Sequence, residues 1–400
     1  MQLYIPCLFG LESLVSEELQ ELGADKKDLI VQDGAVILGT TPSSWREAAA
    51  RANVFLRTGE RVLLSLSEFP ARTFDELFDG VSEINWEELI PRDFVLAVNG
   101  FARKSALTSL PACQGIIKKA IVRRLLSAKG LPLTAKLVED PGAGTLRIQF
   151  AIVSDRARIM IDTSGESLHK RGYRPLATEA PIRETLAAGL VRLTQYRPFG
   201  SEAFVDPFCG SGTLVIEAAM RAFHVAPGLR RPFAGESWPI LGKPFFEKAR
   251  AEAYSLQKPI SSEPITFFGS DIDPKLIPVA ERNARAAGVY EGVSFEAADA
   301  FTRTPEVLNT LTDKPRQLIL TNPPYGERLL DAEKAEELYR AIAGLYLDSD
   351  GFCRAGMRLA VISPDDTFER FAGRPADKRR KLYNGNIRCQ LYQYFKLPKH

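Results

Sequence analysis

Ala203-Phe204-Val205-Asp206-Pro207-Phe208-Cys209-Gly210-Ser211-Gly212 reads as a short apolar strand that ends on an acid, turns through two glycines and opens a helix. Gly210 and Gly212 let the backbone bend sharply and come close to a ligand. The helix is expected over 213–223. The same unit recurs downstream, with strands expected over 265–270, 293–297, 317–321 and 358–363 and helices over 275–287 and 335–346. Repeated βα units imply a mostly parallel sheet with helices on both faces, an α/β fold. Asn384-Gly385 between apolar runs is a hairpin signal, so the sheet should close with an antiparallel pair. Residues 228–264, rich in Pro, Gly and Ser, look like an insertion between the first helix and the second strand.

Substrate and cofactor sites in open α/β sheets lie at the carboxyl ends of the strands. Here four strand ends carry chemistry. The first is the Asp206 turn; the three-glycine dinucleotide pattern is absent, and a carboxylate is a poor neighbour for pyrophosphate. Asp206 would suit the amino or sulfonium region of S-adenosylmethionine, with Phe208, Cys209, Gly210 and Gly212 around it. The second is Gly269-Ser270-Asp271-Ile272-Asp273, where a carboxylate can accept both ribose hydroxyls. Asp271 is the first choice and Asp273 the second. The third is Ala298-Asp299-Ala300-Phe301, where Asp299 is either an acceptor for an adenine amino group or a helix N-cap. Glu281 and Arg285, four apart on a helix, read as a solvated pair.

The fourth strand end is Asn322-Pro323-Pro324-Tyr325. Two prolines stop the strand in a rigid loop, which alone could be a stiff surface turn. An exocyclic amino group delocalises its lone pair and attacks poorly until that pair is localised. The Asn322 side-chain oxygen and the Pro323 carbonyl could accept its two hydrogens as positive charge develops. Tyr325 could stack on the base. The reading is methyl transfer to nitrogen, with Asn322, Pro323, Pro324 and Tyr325 as the catalytic group and Asn322 also bordering the cofactor.

Composition bounds the rest. A 400-residue chain suggests two or three domains. A net charge of +2 argues against a uniformly basic coat but leaves room for local basic patches. Five scattered cysteines make no disulfide framework, and the three histidines form no zinc spacing with them, so no metal is expected. The N-terminus lacks a signal-peptide pattern and nothing approaches a membrane span, so a cytoplasmic protein is expected.

Toward the N-terminus, Leu3-Tyr4-Ile5 is a strand, Leu11, Leu14, Val15, Leu19 and Leu22 share one helical face, and 31–38 returns as a strand. Further strands are expected over 95–98, 146–152 and 158–162, with a basic helix over 111–128.

Together these motifs resemble the class I S-adenosylmethionine-dependent methyltransferases, and more narrowly the THUMP-domain RNA guanine-N2 methyltransferases of the bacterial 23S rRNA type. The resemblance spans nearly the whole chain. It rests on Ser167-Leu168-His169-Lys170-Arg171-Gly172-Tyr173-Arg174, on Ala180-Pro181-Ile182-Arg183-Glu184-Thr185-Leu186-Ala187-Ala188, on Asp206–Gly212, Asp271–Pro274 and Asn322–Gly326, and on Lys381-Leu382-Tyr383-Asn384-Gly385. It implies a Rossmann-like methyltransferase domain with a mostly parallel seven-stranded sheet over 166–400. Ahead of it should lie a ferredoxin-like domain over 1–60 and a THUMP RNA-binding domain over 61–165. It also implies cofactor contacts at Ala180, Pro181 and Ile182, where Glu184 either supports that segment, the first choice, or begins the helix; Ile272 and Ala300, beside the strand-end acids, are further cofactor candidates. Larger relatives fuse a second methyltransferase domain; with the chain ending at His400, that second activity is expected to be absent.

A guanine amino group is hidden by pairing in duplex RNA, so the target must lie in a loop or be extruded at a cost of roughly a few kcal/mol. Candidate RNA contacts are Arg103 and Lys104, then Lys118, Lys119, Arg123 and Arg124 on the basic helix, and Lys170, Arg171 and Arg174 in the connector. Lys378-Arg379-Arg380-Lys381 either touches RNA or guards a strand edge. Asn-Pro-Pro-Tyr suits any planar NH2 group, so an N6-adenine or glutamine-amide methyltransferase is the alternative. A non-catalytic RNA-binding assembly factor is the third reading.

Overall fold

The computed structural model describes residues 1–90, 94–137, 139–174, 182–260, 264–324, 332–364 and 367–398. The strands, in chain order, are β1 (Gln2–Pro6), β2 (Leu29–Gln32), β3 (Ala35–Gly39), β4 (Leu63–Pro70), β5 (Val95–Arg103), β6 (Thr145–Val153), β7 (Arg156–Asp162), β8 (Glu202–Asp206), β9 (Phe267–Asp271), β10 (Val293–Ala297), β11 (Arg316–Thr321), β12 (Met357–Ser363), β13 (Lys378–Asn384) and β14 (Ile387–Tyr394). They form two seven-stranded sheets, ordered β2-β3-β1-β4-β7-β6-β5 and β10-β9-β8-β11-β12-β14-β13. The chain groups into two units. One holds residues 1–6, 18–168 and 232–251; the other holds 7–17, 169–231 and 252–400.

In the first unit one continuous sheet serves both N-terminal segments, because β1 pairs with β3 on one side and β4 on the other. The single strand expected over 31–38 is instead a hairpin. Asp33-Gly34 turns between β2 and β3, with Gly34 at φ +73°, the left-handed conformation a tight two-residue turn demands. β5 and β6 run parallel, which requires a crossover, and helix Leu110–Ala128 lies between them in sequence. Its N-cap Ser109 accepts the Ala112 N–H, and its apolar face buries Cys113, Ile117, Ala120, Ile121 and Leu125. The stretch 232–251, the middle of the segment expected as an insertion, groups with this unit. Gly235 N donates to Thr163 O at 2.9 Å, and Lys248 pairs with Glu47 at 2.9 Å.

The second unit is the doubly covered α/β sheet. β8 to β12 are mutually parallel, while β14 is antiparallel to both β12 and β13. All five residues of β8 are buried, as a central strand with both faces covered must be. Helix Thr213–Ala222 follows Gly212, which sits at φ +84°. A Cβ at Gly212 would lie 3.0 Å from Phe295 and 3.1 Å from Ala280, so both conformation and space favour glycine there. Helix Leu276–Ala287 ends on Gly288 at φ +78°, a left-handed C-cap. The five cysteines are all buried and unbridged. No described helix is long and apolar enough to cross a membrane.

Phe267 opens β9 at the centre of an aromatic nest, with ring centroids 6.0 Å from Tyr196, 6.3 Å from Phe199, 6.5 Å from Phe204 and 6.0 Å from Phe223. Phe267→Ala is expected to cost about 3–5 kcal/mol, read as a fall in the urea midpoint of the second unit.

Candidate active site

β8, β9, β10 and β11 end at one edge of the sheet, and their terminal residues wall a cavity of about 340 Å³. That volume lies within the roughly 300–1,000 Å³ typical of small-molecule sites. The glycine turn is tied to the end of β9 by two bonds and to helix Leu276–Ala287 by a third. Gly210 N donates to Asp271 Oδ2 at 2.9 Å, Cys209 N to Ser270 O at 2.9 Å, and Asn283 Nδ2 to Ser211 O at 3.0 Å. The other Asp271 oxygen accepts from Asp273 N at 3.0 Å. A carboxylate has about four lone-pair sites, so Asp271 keeps acceptor capacity toward the cavity. Asp273 instead accepts from Lys275 N at 2.9 Å and does not line the cavity. Asp299 is an N-cap, accepting from Phe301 N at 2.9 Å, and it lines the cavity as well.

Asp206 is buried at the end of β8. Its Oδ1 accepts the Thr321 hydroxyl at 2.8 Å and the Phe208 N–H at 3.1 Å. Burial pushes its carboxyl from the ordinary 3.8 up to about 7; the Thr321 and Phe208 bonds oppose the shift and the Asp271 charge adds to it. Burial first, then the charges of Asp206 and Asp271, drive the Cys209 thiol well above its ordinary value, which keeps it neutral and a poor nucleophile. Asn322 begins the loop after β11. Its Oδ1 is buried and has no hydrogen-bond partner among the described residues, and Asn322 lines the same cavity. An unsatisfied buried acceptor costs about 1–3 kcal/mol, so its place at a cavity wall marks it as a group waiting for a donor.

The cavity gathers Ile182, Asp206, Phe208, Cys209, Gly210, Asp271, Ile272, Asp299, Ala300, Asn322 and Pro324 of the residues singled out from sequence. Gly212 shapes the turn without lining the cavity, and Pro323 is buried outside the lining. Ala180, Pro181 and Tyr325 lie outside the described residues. Phe301, expected among the residues around the adenine, lines the cavity, whereas sequence reasoning missed Thr321 and Thr213. The signal for Thr321 was a hydroxyl closing an otherwise apolar strand; Thr213 had none until its partner, Arg174, was placed.

Two connector cations are corrected. Arg171 is only 3% exposed and its Nε lies 3.4 Å from Glu217, which also accepts from the Tyr173 hydroxyl at 3.2 Å. Arg174 reaches Ile182 O at 3.1 Å, Thr213 Oγ1 at 3.0 Å and Glu184 at 3.2 Å. Both are interior struts rather than RNA contacts, because a guanidinium already desolvated and paired has little left to offer a phosphate. Arg174 thereby positions two cavity residues, and Glu184, its partner, is also the first residue of helix Glu184–Leu193. Lys170 is exposed. In the first unit Arg103, Lys104, Lys119 and Arg123 are exposed, while Lys118 pairs with Glu139 at 2.8 Å. Arg124 forks onto Glu87 at 3.0 and 2.6 Å, which makes it structural.

A domain model for an RMKL-like methyltransferase domain matches residues 171–393, with an RlmL ferredoxin-like domain over 2–63 and a THUMP domain over 71–162. The chain belongs to the RMKL-like methyltransferase family. It is 38% identical over 386 residues to "Putative RNA methyltransferase YpsC" of Bacillus subtilis, an alignment covering 96% of this chain and 94% of that one. It is 34% identical over 401 residues to the ribosomal RNA large subunit methyltransferase K/L of Psychromonas ingrahamii, covering 99% of this chain but 50% of that protein. The chain thus spans about half the length of its K/L relative. Its fold matches the crystal structure of SMU.472 complexed with SAH, with TM-score 0.84 and 36% identity over 100% of this chain and 99% of the other. A Listeria monocytogenes structure named "predicted N6-adenine-specific DNA methylase" matches with TM-score 0.84 and 37% identity, over 98% of this chain and 96% of that one. The protein is a methyltransferase whose cofactor is S-adenosylmethionine. The site fits that cofactor: acids at three strand ends, an orphaned amide oxygen, and a glycine turn open enough for close approach. Among the described residues no cluster of His, Cys, Asp or Glu is placed to hold a metal.

The sign of the Asp206 effect follows from its raised value. Between pH 3.8 and about 7 the folded protein holds a proton that the unfolded chain has lost, so stability from this group is lost as pH rises through that window. Asp206→Asn keeps an acceptor for Thr321 and Phe208 without the buried charge. Its stability relative to the parent, by urea denaturation, should therefore improve from pH 5 to about pH 7 and level off above that; a pH-independent difference would contradict a carboxylate that titrates near 7.

Proposed function

We propose that the protein transfers the methyl group of S-adenosylmethionine to the exocyclic N2 amino group of a guanine in structured RNA, with large-subunit ribosomal RNA the substrate. The observation that carries the proposal is the buried Asn322 Oδ1, without a hydrogen-bond partner among the described residues, in the wall of a cavity ringed by Asp206, Asp271 and Asp299. The THUMP match and the names of the YpsC and K/L relatives support RNA. The Listeria neighbour's name supports adenine in DNA as the competing reading.

In this reading Asp271 takes the ribose hydroxyls, and Asp299, Ala300, Ile272 and Phe301 surround the adenine. Asp206 faces the cationic methionine end, and the Phe208–Gly210 backbone with Ile182 completes the wall. When bound, the cofactor supplies an electrophilic methyl group. Asn322 Oδ1 accepts one hydrogen of the target amino group, the Pro323 carbonyl accepts the other, and Tyr325 stacks on the base. Two acceptors favour a tetrahedral nitrogen and gain strength as it becomes positive, so they stabilise the transition state more than the ground state. No general base is required, because the proton can leave to water after transfer. Much of the rate then comes from alignment, which is worth about 7–11 kcal/mol at best.

Asn322→Ala should lower turnover about 10²–10³-fold while S-adenosylmethionine affinity, by calorimetry, stays near that of the parent; near-normal turnover sinks the assigned role. Asp271→Ala should weaken cofactor affinity about 10- to 100-fold, through the lost ribose acceptors and the loosened Gly210 turn. For the substrate, labelled methyl transfer is compared on DNA and on total RNA from a strain lacking the protein, with the product nucleoside identified. Label in N2-methylguanosine supports the proposal, and label in N6-methyladenine or in DNA overturns it.

A further inference from the structure

The Lys381-Leu382-Tyr383-Asn384-Gly385 motif takes no part in the cofactor cavity. It forms the end of β13 and the turn into β14, where an open groove of about 630 Å³ lies between this hairpin and the loop Cys7-Leu8-Phe9-Gly10. Leu382 is fully buried and anchors β13 to the core, while Gly10 lets the loop approach; a Cβ there would sit 2.7 Å from Lys381 O. Arg380 fixes the loop from the other side, its Nε donating to Gly10 O at 2.9 Å.

The groove is aromatic and basic together. Phe9 is 49% exposed, and its ring meets Tyr383 edge-on at 6.0 Å. Lys381 Nζ lies 5.5 Å from the Tyr383 ring centre. Tyr383 and Arg388 are directly paired across the hairpin, so Lys381, Tyr383 and Arg388 share one face of the sheet. Lys378, Lys381 and Arg388 are exposed; of the neighbouring cations, Arg379 is paired with Glu369 at 3.1 Å and Arg380 is occupied by the loop. Guarding an edge strand against aggregation calls for charge alone. It does not explain an exposed Phe9 beside a half-buried Tyr383, which is the combination that stacks bases and neutralises phosphates.

Register places the groove relative to the active site. Thr321 pairs with Val361, and Ser363 with Gln390, so the hairpin begins at Ile387 beyond the carboxyl end of β12, on the same edge as Asn322. β12 and β14 separate β11 from β13. At ~4.8 Å per strand step the lateral separation is roughly 14 Å, about four stacked nucleotides at ~3.4 Å each.

We infer that this groove holds an unpaired stretch of the substrate RNA a few nucleotides from the methylated base, with Tyr383 and Phe9 stacking on a base and Lys381 and Arg388 facing the backbone. The inference rests on the RNA reading of the active site, and it gives that site a grip on the strand it must splay open.

The test uses the full chain and a short fluorescent oligouridine, whose binding by anisotropy needs no turnover. Tyr383→Ala should weaken binding about tenfold, and Lys381→Ala should flatten the log–log salt dependence by about 0.7. The same variants should raise KM for total RNA while kcat and cofactor affinity hold. Because Tyr383→Ala could loosen the hairpin, Phe9→Ala provides a second probe, and thermal unfolding screens both. Oligouridine binding and RNA KM unchanged in the folded variants overturn the groove assignment while leaving methyl transfer to RNA intact. Failure of the parent protein to methylate any RNA refutes the functional reading instead, and is seen separately.

Discussion

The bond between Asp206 Oδ1 and the Thr321 hydroxyl joins the two strand ends on which the site depends. β8 and β11 are adjacent parallel strands, one delivering the glycine turn and the other the Asn322 loop. Parallel pairing sets their depth but not the direction of the chain once it leaves the sheet. A buried carboxylate that accepts from Thr321 and from Phe208 N constrains both departures at one point. Thr321 is wholly buried, so its hydroxyl has few other partners to choose from, and Asp206 gains a second donor beside the Phe208 N–H. The arrangement is costly to the apo fold above pH 7, and that cost is what a cationic ligand would relieve.

Arg174 does for the opposite wall what Thr321 does for the sheet edge. By donating to Ile182 O and Thr213 Oγ1 while paired with Glu184, it links the connector to the starts of two helices. One turn further along, Glu217 is buried within helix Thr213–Ala222 and is answered by Arg171 and Tyr173. Buried ion pairs contribute little net stability but are expensive to break. Here they tie the connector to helix Thr213–Ala222 beside the cavity wall.

The fold was legible where period and punctuation agreed. Strand, glycine, helix and acid recur in the second half, and those elements appear within three residues of their expected positions. Three features of the first 200 residues were not legible. The 31–38 run read as one strand because β2 and β3 are both short and apolar, and Asp33-Gly34 went unread as a turn. β4 hides because Ser65, Ser67 and Glu68 interrupt its apolar residues. The basic run at 169–174 could not be sorted by composition: Lys170 and Arg171 are neighbours, yet one is exposed and the other buried. Charge is written in the sequence, but its solvation is decided by what packs against it, and Glu217 lies more than forty residues away.

The same asymmetry explains why four strand ends spoke clearly and the hairpin did not. A strand-end acid or amide has a chemical task readable from its type and position, since the carboxyl edge of a parallel sheet is where ligands sit. Tyr383 and Phe9 lie far apart in sequence and become a pair only when the loop after β1 packs against β13. Their meaning depends on a third fact, that β14 overshoots β12 toward the edge occupied by Asn322. An enzyme that must hold one base out of its stack needs purchase on the strand as well as on the base, because unstacking is opposed at both neighbours. A platform several strands from the reactive nitrogen, on the same sheet and so rigidly spaced from it, supplies that purchase without crowding the cofactor.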